Sequence, residues 1–121
     1  MRQIKFRVWE TMNNKITGWD ELQKATISLL NRPDKVVKDE FVVMQFTGRV
    51  DKSGREIYEC DILKHIPDGY EPHELLEVFW DEELDAFSSR SLDKRHLYQT
   101  PIMENDYKVI GNIYENPELL P

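Results

Sequence analysis

The chain has a single cysteine, Cys60, which is the residue type best suited to nucleophilic chemistry, and His65 follows five positions later. A cysteine nucleophile needs a nearby base and surroundings that lower the pKa of its thiol. The immediate neighbours of Cys60 are Glu59 and Asp61, whose negative charges would raise that pKa instead. The sequence therefore argues against catalysis at Cys60, and we expect a non-enzymatic protein.

Metal binding is a second chemistry that this region could support. Cys60, His65 and His73 form a Cys-x4-His-x7-His series, with Asp61 and Asp68 as further oxygen ligands. Structural zinc sites favour ligand pairs two to four residues apart, and this series has none. We therefore interpret the histidines as loop residues and expect neither a metal nor another cofactor.

Carboxylates are the most abundant reactive groups, and several stand close together in the C-terminal half. The set comprises Glu71, Glu74, Glu77, Asp81, Glu82, Glu83 and Asp85. A pair that works as acid and base needs one member out of water, whereas residues 81–85 have the composition of a solvent-exposed hairpin tip. These residues also lack the ligand spacing of a calcium loop. We interpret them as a solvated surface.

Tryptophan and tyrosine are more numerous than the core of one small barrel can hide. Five of them are candidates for an interface: Trp9, Trp19, Tyr58, Trp80 and Tyr98. Core packing accounts for some of these rings. Because both residue types are favoured at protein interfaces, the others indicate a homo-oligomer or an unknown protein partner. Binding is therefore the leading functional hypothesis.

A local basic strip is the feature that would favour nucleic acid. Lys5 and Arg7 are predicted on one face of a strand, and Lys52 and Arg55 flank a turn. The net charge of −7 and the pI near 5.0 argue against passive binding to DNA or to an anionic membrane. Solvated strand faces are thus the favoured interpretation. A nucleic-acid-associated module remains the alternative, with an acidic DNA mimic that inhibits a host protein as a weaker one.

Length and composition favour one domain over residues 1–121. A chain of this size forms a core without disulfides, and one cysteine permits no internal disulfide. The first ten residues alternate apolar and charged types, unlike a signal peptide. No stretch approaches the ~20 apolar residues that span a bilayer. We expect a soluble, cytoplasmic protein that does not contact the membrane.

The N-terminal third predicts a β-hairpin followed by a segment of uncertain type. Residues 4–9 alternate as a half-buried strand does, and the Asn-Asn pair at 13–14 suits a hairpin turn. Residues 20–32 are ambiguous. Asp20 could cap a helix, but residues 25–30 have a composition that also suits a strand.

The middle of the chain is plainly β in character. Residues 41–48 are apolar on both faces, which predicts a central strand. In the turn that follows, Asp51 can accept hydrogen bonds from backbone N–H groups two residues on, and Gly54 suits a positive φ. The alternation breaks near residues 59–61, which predicts a bulge or bend there.

The C-terminal third predicts a hairpin over residues 75–92 and a final strand in which Gly111 permits a bend or a close backbone approach. Asn116 could cap a single helical turn that begins at Pro117. Short strands at close spacing, turn residues between them and few helical signals indicate a small, mostly β barrel or roll.

Four segments of the chain resemble segments of the YopX family in their residue types and in their order along the sequence. They are "IKFRVWE", "FVVMQFTGRVDKSGREIYECDIL", "VFWDEELDAF" and "VIGNIYENPELL", which together span Ile4 to Leu120. The resemblance implies a phage or prophage origin and an SH3-like barrel over residues 36–121, preceded by an N-terminal hairpin and variable segment over residues 1–35. It also makes homo-oligomers an expectation. It brings no established activity, substrate or catalytic residue.

The resemblance bears on two positions left open above. It favours an extended conformation for residues 26–30. Family members typically have glycine before the aspartate of the "YEGDI" block, where this chain has Cys60. Glycine there indicates either tight packing or an unusual backbone angle, and a cysteine meets the second demand only at a steric cost. We therefore expect Cys60 to have φ below zero and to lie largely buried at a strand bend.

Overall fold

The computed structural model describes residues 3–30, 41–65, 75–93, 100–101 and 107–121, with the backbone alone at residues 25–30, 65 and 100–101. These ranges contain nine strands, one α-helix and one 3-10 helix. The strands are β1 (Phe6–Glu10), β2 (Lys15–Thr17), β3 (Phe41–Val50), β4 (Glu56–Tyr58), β5 (Asp61–His65), β6 (Leu75–Asp81), β7 (Ala86–Ser91), β8 (Thr100–Pro101) and β9 (Tyr107–Asn112). The helices are α1 (Trp19–Leu30) and the 3-10 helix Pro117–Leu119.

Two antiparallel sheets form the fold. The first has the strand order β2-β1-β3-β4, and the second has the order β8-β7-β6-β5-β9. Both sheets curl, and together they make a half-barrel, so the mostly β prediction is confirmed. The N-terminal hairpin is β1 with β2, and β3 lies inside its sheet as the apolar composition of both its faces predicts.

The hydrophobic core joins a residue of the first sheet to residues of the second. Its buried members come from β4, β5, β6 and β9, and Phe87 packs against them. They are Ile57, Leu63, Leu76, Val78, Tyr107 and Val109. Leu63 pairs with Leu76 across β5 and β6, so this core depends on the register of the central strands.

The ambiguous segment is helical. Helix α1 runs from Trp19 to Leu30, so the extended conformation that the family resemblance favours for residues 26–30 is wrong. Asp20 and Glu21 occupy the first turn, where acidic side chains interact favourably with the helix dipole. Once a first turn exists, each further residue adds a backbone hydrogen bond at little extra cost. In the ranges that the structure describes, no helix has the length and apolar character needed to cross a membrane.

Strand β1 buries the face that the sequence analysis interprets as solvent-exposed. Arg7 and Trp9 are buried, whereas Ile4 is exposed. The interpretation of Arg7 as part of a solvated face is therefore wrong. Alternation defines two faces of a strand but not which one faces inward, and here the inner face includes an arginine because a buried carboxylate lies opposite it.

The C-terminal segment folds as expected in outline. Residues Pro117–Leu119 form a single 3-10 turn, which confirms the predicted helical turn, but the side chain of Asn116 makes no capping bond to it. Its Oδ1 instead accepts a hydrogen bond from the Asn112 backbone N–H at 3.1 Å. This side chain lies so close to Gly111 that a Cβ there would be 2.6 Å from Asn116 Cγ. The group that lies close to Gly111 is therefore a side chain, not the backbone that the sequence analysis expects there.

Candidate functional site

Cys60 lies at the corner between β4 and β5, where the chain passes from the first sheet to the second. Its φ is 71°, so the prediction of a negative φ is wrong. The backbone N–H of Cys60 donates to Val78 O at 2.9 Å, and Ile113 N–H donates to Cys60 O at 3.0 Å. These two bonds fix the left-handed conformation, which is the physical reason for a glycine at this position in the "YEGDI" block.

The thiol of Cys60 is partly buried. Burial, together with the negative charges of Glu77 and Glu59, raises the pKa of Cys60 to about 11. The thiol is therefore protonated at neutral pH and is a poor nucleophile. Tyr114 lies against it, and burial followed by the nearby Cys60 and Glu77 raises the pKa of Tyr114 as well.

An ion pair beside this corner joins the first sheet to the second. Arg7 Nη2 donates to Asp61 Oδ1 at 2.7 Å and to Glu59 O at 3.1 Å. The guanidinium lies over the ring of Tyr58, whose backbone N–H donates to Asp61 Oδ2 at 2.8 Å. Burial raises the pKa of Asp61, and the charge of Arg7 and the Tyr58 N–H oppose that shift. Both charged groups are occupied in holding the corner together.

A second buried carboxylate, Asp51, closes the half-barrel. Its Oδ1 accepts from the N–H groups of Ser53 and Arg55 at 2.8 and 2.9 Å, and its Oδ2 accepts from Val109 N–H in β9 at 2.9 Å. Burial alone would raise the pKa of Asp51, but these three donors and the Arg55 charge outweigh it and lower the pKa. The bond to Ser53 is the one that the turn chemistry predicts. The long-range bond to β9 has no signal in the sequence.

Two of the aromatic interface candidates lie inside the protein. Trp9 is buried and stacks on Tyr114 with ring centroids 5.6 Å apart. Tyr58 is also buried, and its ring lies 5.5 Å from that of Phe46. Both rings connect elements of the fold and present little surface.

The other aromatic candidates differ in accessibility. Trp19 is partly buried, with its ring 6.0 Å from that of Phe6. Trp80 is 40% exposed and meets Phe87 edge to face at 4.9 Å. Tyr98 lies outside the described residues. Trp80 is thus the described candidate with the most surface to offer a partner.

The four basic residues proposed as nucleic-acid contacts differ in how accessible they are. Lys5 Nζ lies 2.6 Å from Glu56 Oε2, and this hydrogen bond is the main reason why the pKa of Lys5 is raised. Arg7 is buried in its ion pair. Lys52 and Arg55 are exposed in the turn between β3 and β4. Only these last two are accessible in the way that a basic strip requires.

The structure places two further lysines near Lys52. Lys64 in β5 and Lys108 in β9 are direct partners across the two strands. Lys52 N–H donates to Tyr107 O at 3.0 Å, so the turn lies against the same stretch of β9. Sequence reasoning missed this grouping because the register of β5 against β9 brings together residues more than forty positions apart.

The acidic residues form a hairpin tip between β6 and β7, as the sequence predicts. Glu82, Glu83 and Asp85 are exposed, but Asp81 is buried, which corrects its place among the solvated residues. Asp81 Oδ1 accepts from Glu83 N–H at 2.9 Å. Its Oδ2 has no hydrogen-bond partner. The carboxylate organises the turn and directs the other acids outward.

The candidate metal-ligand series Cys60, His65 and His73 lies only partly within the described residues. Cys60 is described, whereas the side chain of His65 and all of His73 lie outside the described residues. In the part of the chain that the structure describes, no three side chains of His, Cys, Asp or Glu are grouped as metal ligands would be.

Comparison with known proteins gives a family and a fold. A family model described as YopX protein matches residues 5–121. The crystal structure of protein EF1440 from Enterococcus faecalis is similar over 100% of both chains, with 23% sequence identity and a TM-score of 0.64. At that identity the similarity concerns the fold. The search of curated proteins found no match.

Proposed function

The chain belongs to the YopX family, and we propose that it is a non-enzymatic phage or prophage accessory protein that acts by binding. Its partners in this proposal are further copies of itself and a phage or host protein in the bacterial cytoplasm. The observation that carries the proposal is the presence of large apolar side chains on the surface of the described residues.

Six large apolar side chains of the described residues are exposed; Met12 and Leu120 stand apart, and the other four lie in two places. Val43 in β3 is 62% exposed and Ile4, just before β1, is 61% exposed, both on the outer side of the first sheet. Trp80 and Leu84 are exposed at the end of the β6–β7 hairpin. Isolated apolar residues are common on protein surfaces, but an exposed tryptophan beside other apolar side chains favours a protein interface.

The reactive groups support a role without catalysis. The thiol of Cys60 is protonated, and the carboxylates of Asp51 and Asp61 are hydrogen-bonded to the backbone and to Arg7. Catalytic acids and bases need contrasting environments around groups that can reach a substrate. The Asp51 and Asp61 carboxylates instead hold parts of the fold together through hydrogen bonds, and the protonated Cys60 thiol lies against Tyr114.

Sedimentation velocity over a wide range of protein concentration tests the self-association. We expect the weight-average sedimentation coefficient to rise with concentration, and a chain that stays monomeric at the highest concentration would remove this part of the proposal. Capture of partners from an induced prophage-bearing host tests the rest. Cys60→Ala should retain both properties, because the thiol has no chemical role in binding.

A nucleic-acid-associated module is the second candidate, and the lysines at Lys52, Lys64 and Lys108 are the observation that favours it. Lys5 and Arg7 contribute less than the sequence suggests, because both are held by carboxylates. Binding that depends on phosphate contacts weakens steeply with salt. Fluorescence anisotropy with a labelled oligonucleotide at low and moderate salt tests this candidate, and the absence of binding at low salt excludes it.

A further inference from the structure

Three lysines form a group at one end of the second sheet, which we call the lysine cluster: Lys52, Lys64 and Lys108. Lys64 and Lys108 stand directly opposite each other on β5 and β9. The backbone of Lys52 is bonded to Tyr107, the residue before Lys108. The turn and the two strands therefore bring three lysines to the same end of the sheet.

Among the residues that the structure describes, no acidic side chain pairs with the lysine cluster. The ion pairs between described residues are Lys5–Glu56, Arg7–Asp61 and Arg90–Glu77, and none involves the cluster. Like charges directly opposite each other on neighbouring strands destabilise a sheet. No ion pair between described residues compensates Lys64 opposite Lys108, and an anionic group from a second copy would relieve their repulsion.

The opposite charge is exposed at the other end of the same sheet. We call Glu82, Glu83 and Asp85 the acidic tip. All three are exposed, and Leu84 between them is 57% exposed. No ion pair of the described residues involves the tip. At its base, the buried Oδ2 of Asp81 has no hydrogen-bond donor among the described residues.

The two charged groups cannot neutralise each other within one molecule. Lys64 pairs with Leu75, the first residue of β6, and the acidic tip follows Asp81, the last residue of that strand. The strand has seven residues, so at about 3.4 Å per residue its ends lie roughly 20 Å apart. That distance exceeds two Debye lengths of about 8 Å at physiological ionic strength. The attraction between them is screened.

We propose that the acidic tip of one copy of this chain docks onto the lysine cluster of the next, head to tail. This inference rests on the proposed self-association and names its surfaces. Leu84 and Trp80 supply apolar contact area beside the tip, and the methylene stems of the lysines receive it. Since the two surfaces differ, the interface is heterologous and generates a ring or a filament according to the rotation between successive copies.

A second copy is a better occupant than nucleic acid because the chain supplies the complementary surface itself. The net charge of −7 opposes the long-range attraction of a polyanion. A local acidic tip that carries exposed apolar side chains matches a cluster of three lysines in size and in charge. Complementary potentials of this kind set the register of an interface and discriminate against other partners.

Charge reversal with rescue tests the arrangement. Lys64→Glu/Lys108→Glu and, separately, Glu82→Lys/Glu83→Lys should each weaken self-association at least about tenfold, because like charges then face each other across the interface. An equimolar mixture of the two variants should associate again, since each carries a tip that matches the other's cluster. Lys15→Glu/Lys24→Glu is the matched control, with the same change of net charge at exposed lysines elsewhere.

The outcomes separate this inference from the proposed function. If the wild type self-associates and both reversals leave its association unchanged, the head-to-tail interface is wrong and self-association stands. If the wild type is strictly monomeric, self-association and this interface fall together. If the reversals abolish oligonucleotide binding at low salt but leave self-association unaltered, the cluster belongs to nucleic acid and the proposed interface is overturned. Circular dichroism of each variant verifies that it is folded.

Discussion

The corner around Cys60 and the two charged ends of the second sheet use ionisable residues in opposite ways. At the corner, Arg7 and Asp61 are buried, paired and bonded to the backbone. At the ends, Lys52, Lys108 and the acidic tip are exposed and Lys64 is partly buried, and none of them takes part in an ion pair between described residues. Charge at the corner is therefore part of the fold, whereas charge at the ends is available for binding.

The contrast has an energetic basis. Removing one member of a buried pair strands the other in a medium that cannot solvate it, whereas an exposed charge is already solvated and screened. Substitutions at the corner should thus change stability and those at the ends should change association. A corner substitution that left stability unchanged, or an end substitution that lowered it, would contradict this division.

The largest effect is expected from Asp61→Ala. This change leaves the Arg7 guanidinium buried without its counter-ion and the Tyr58 N–H without an acceptor. We expect the free energy of unfolding to fall by about 3–5 kcal/mol, measured by urea denaturation at neutral pH. The control is Lys108→Ala, an exposed member of the lysine cluster, which should change it by less than about 0.5 kcal/mol. Similar losses in both variants would remove the distinction.

Asp51→Asn should have the next largest effect. The amide that replaces the carboxylate cannot accept all three backbone N–H groups, and hydrogen bonds to a charged group are worth about 1.5–3 kcal/mol each. We expect a loss of about 2–3 kcal/mol on that basis. Glu83→Gln in the acidic tip is the control and should leave stability within about 0.5 kcal/mol of the wild type.

The pH dependence of stability should report the same carboxylate. The pKa of Asp51 is lowered in the folded state, so the unfolded chain takes up a proton first as the pH falls. The stabilisation is complete above the unfolded-state pKa and is lost as the pH falls through the folded-state value. Urea denaturation below about pH 4 should show this loss in the wild type and a shallower one in Asp51→Asn. Equal slopes would contradict the assignment.

Gly111→Ala tests the close approach at the C-terminal segment. The added Cβ would meet the side chain of Asn116, and forcing a side chain into a filled space costs about 1–2 kcal/mol. We expect that loss in thermal or chemical denaturation. Adding Asn116→Ala should cancel part of it, because the colliding group is then gone. A double variant whose loss equals or exceeds the sum of the single ones would point to another cause.

The sequence predicts local features of this fold better than long-range ones. The acidic tip, the turn bonds of Asp51 and the single turn at Pro117 follow from residue types within a few positions of one another. The burial of Arg7 does not, because it depends on Asp61, which lies 54 positions away. The lysine cluster depends on strand register in the same way, and period-two alternation does not specify register between distant strands.

Cys60 shows a different limit of sequence reasoning. A glycine in the "YEGDI" block is consistent with tight packing or with a positive φ, and the cysteine favours the first because it is the less costly choice. In the structure Cys60 has the costly positive φ, at 71°. The hydrogen bonds to Val78 and Ile113 impose this angle, and neither partner is close in sequence. The chain tolerates the strain because the corner connects both sheets.

The smallest predicted effect is a gain in stability from Cys60→Gly. A left-handed conformation costs an L-residue roughly 1–2 kcal/mol, and glycine avoids this but loses about 0.5–1 kcal/mol in conformational entropy. We expect a net gain of about 0.5–1 kcal/mol in the free energy of unfolding, the difference between those two amounts.

Cys60→Ala is the decisive comparison for this last prediction. Alanine also removes the thiol, yet it keeps the Cβ and hence the steric cost of the left-handed angle. Stabilisation by glycine but not by alanine would show that backbone strain, rather than the buried thiol, distinguishes this position. If alanine stabilised the chain as much as glycine, the thiol's own packing would be the source of the cost. In either variant, self-association should remain at the wild-type level, because the corner lies apart from the lysine cluster and the acidic tip.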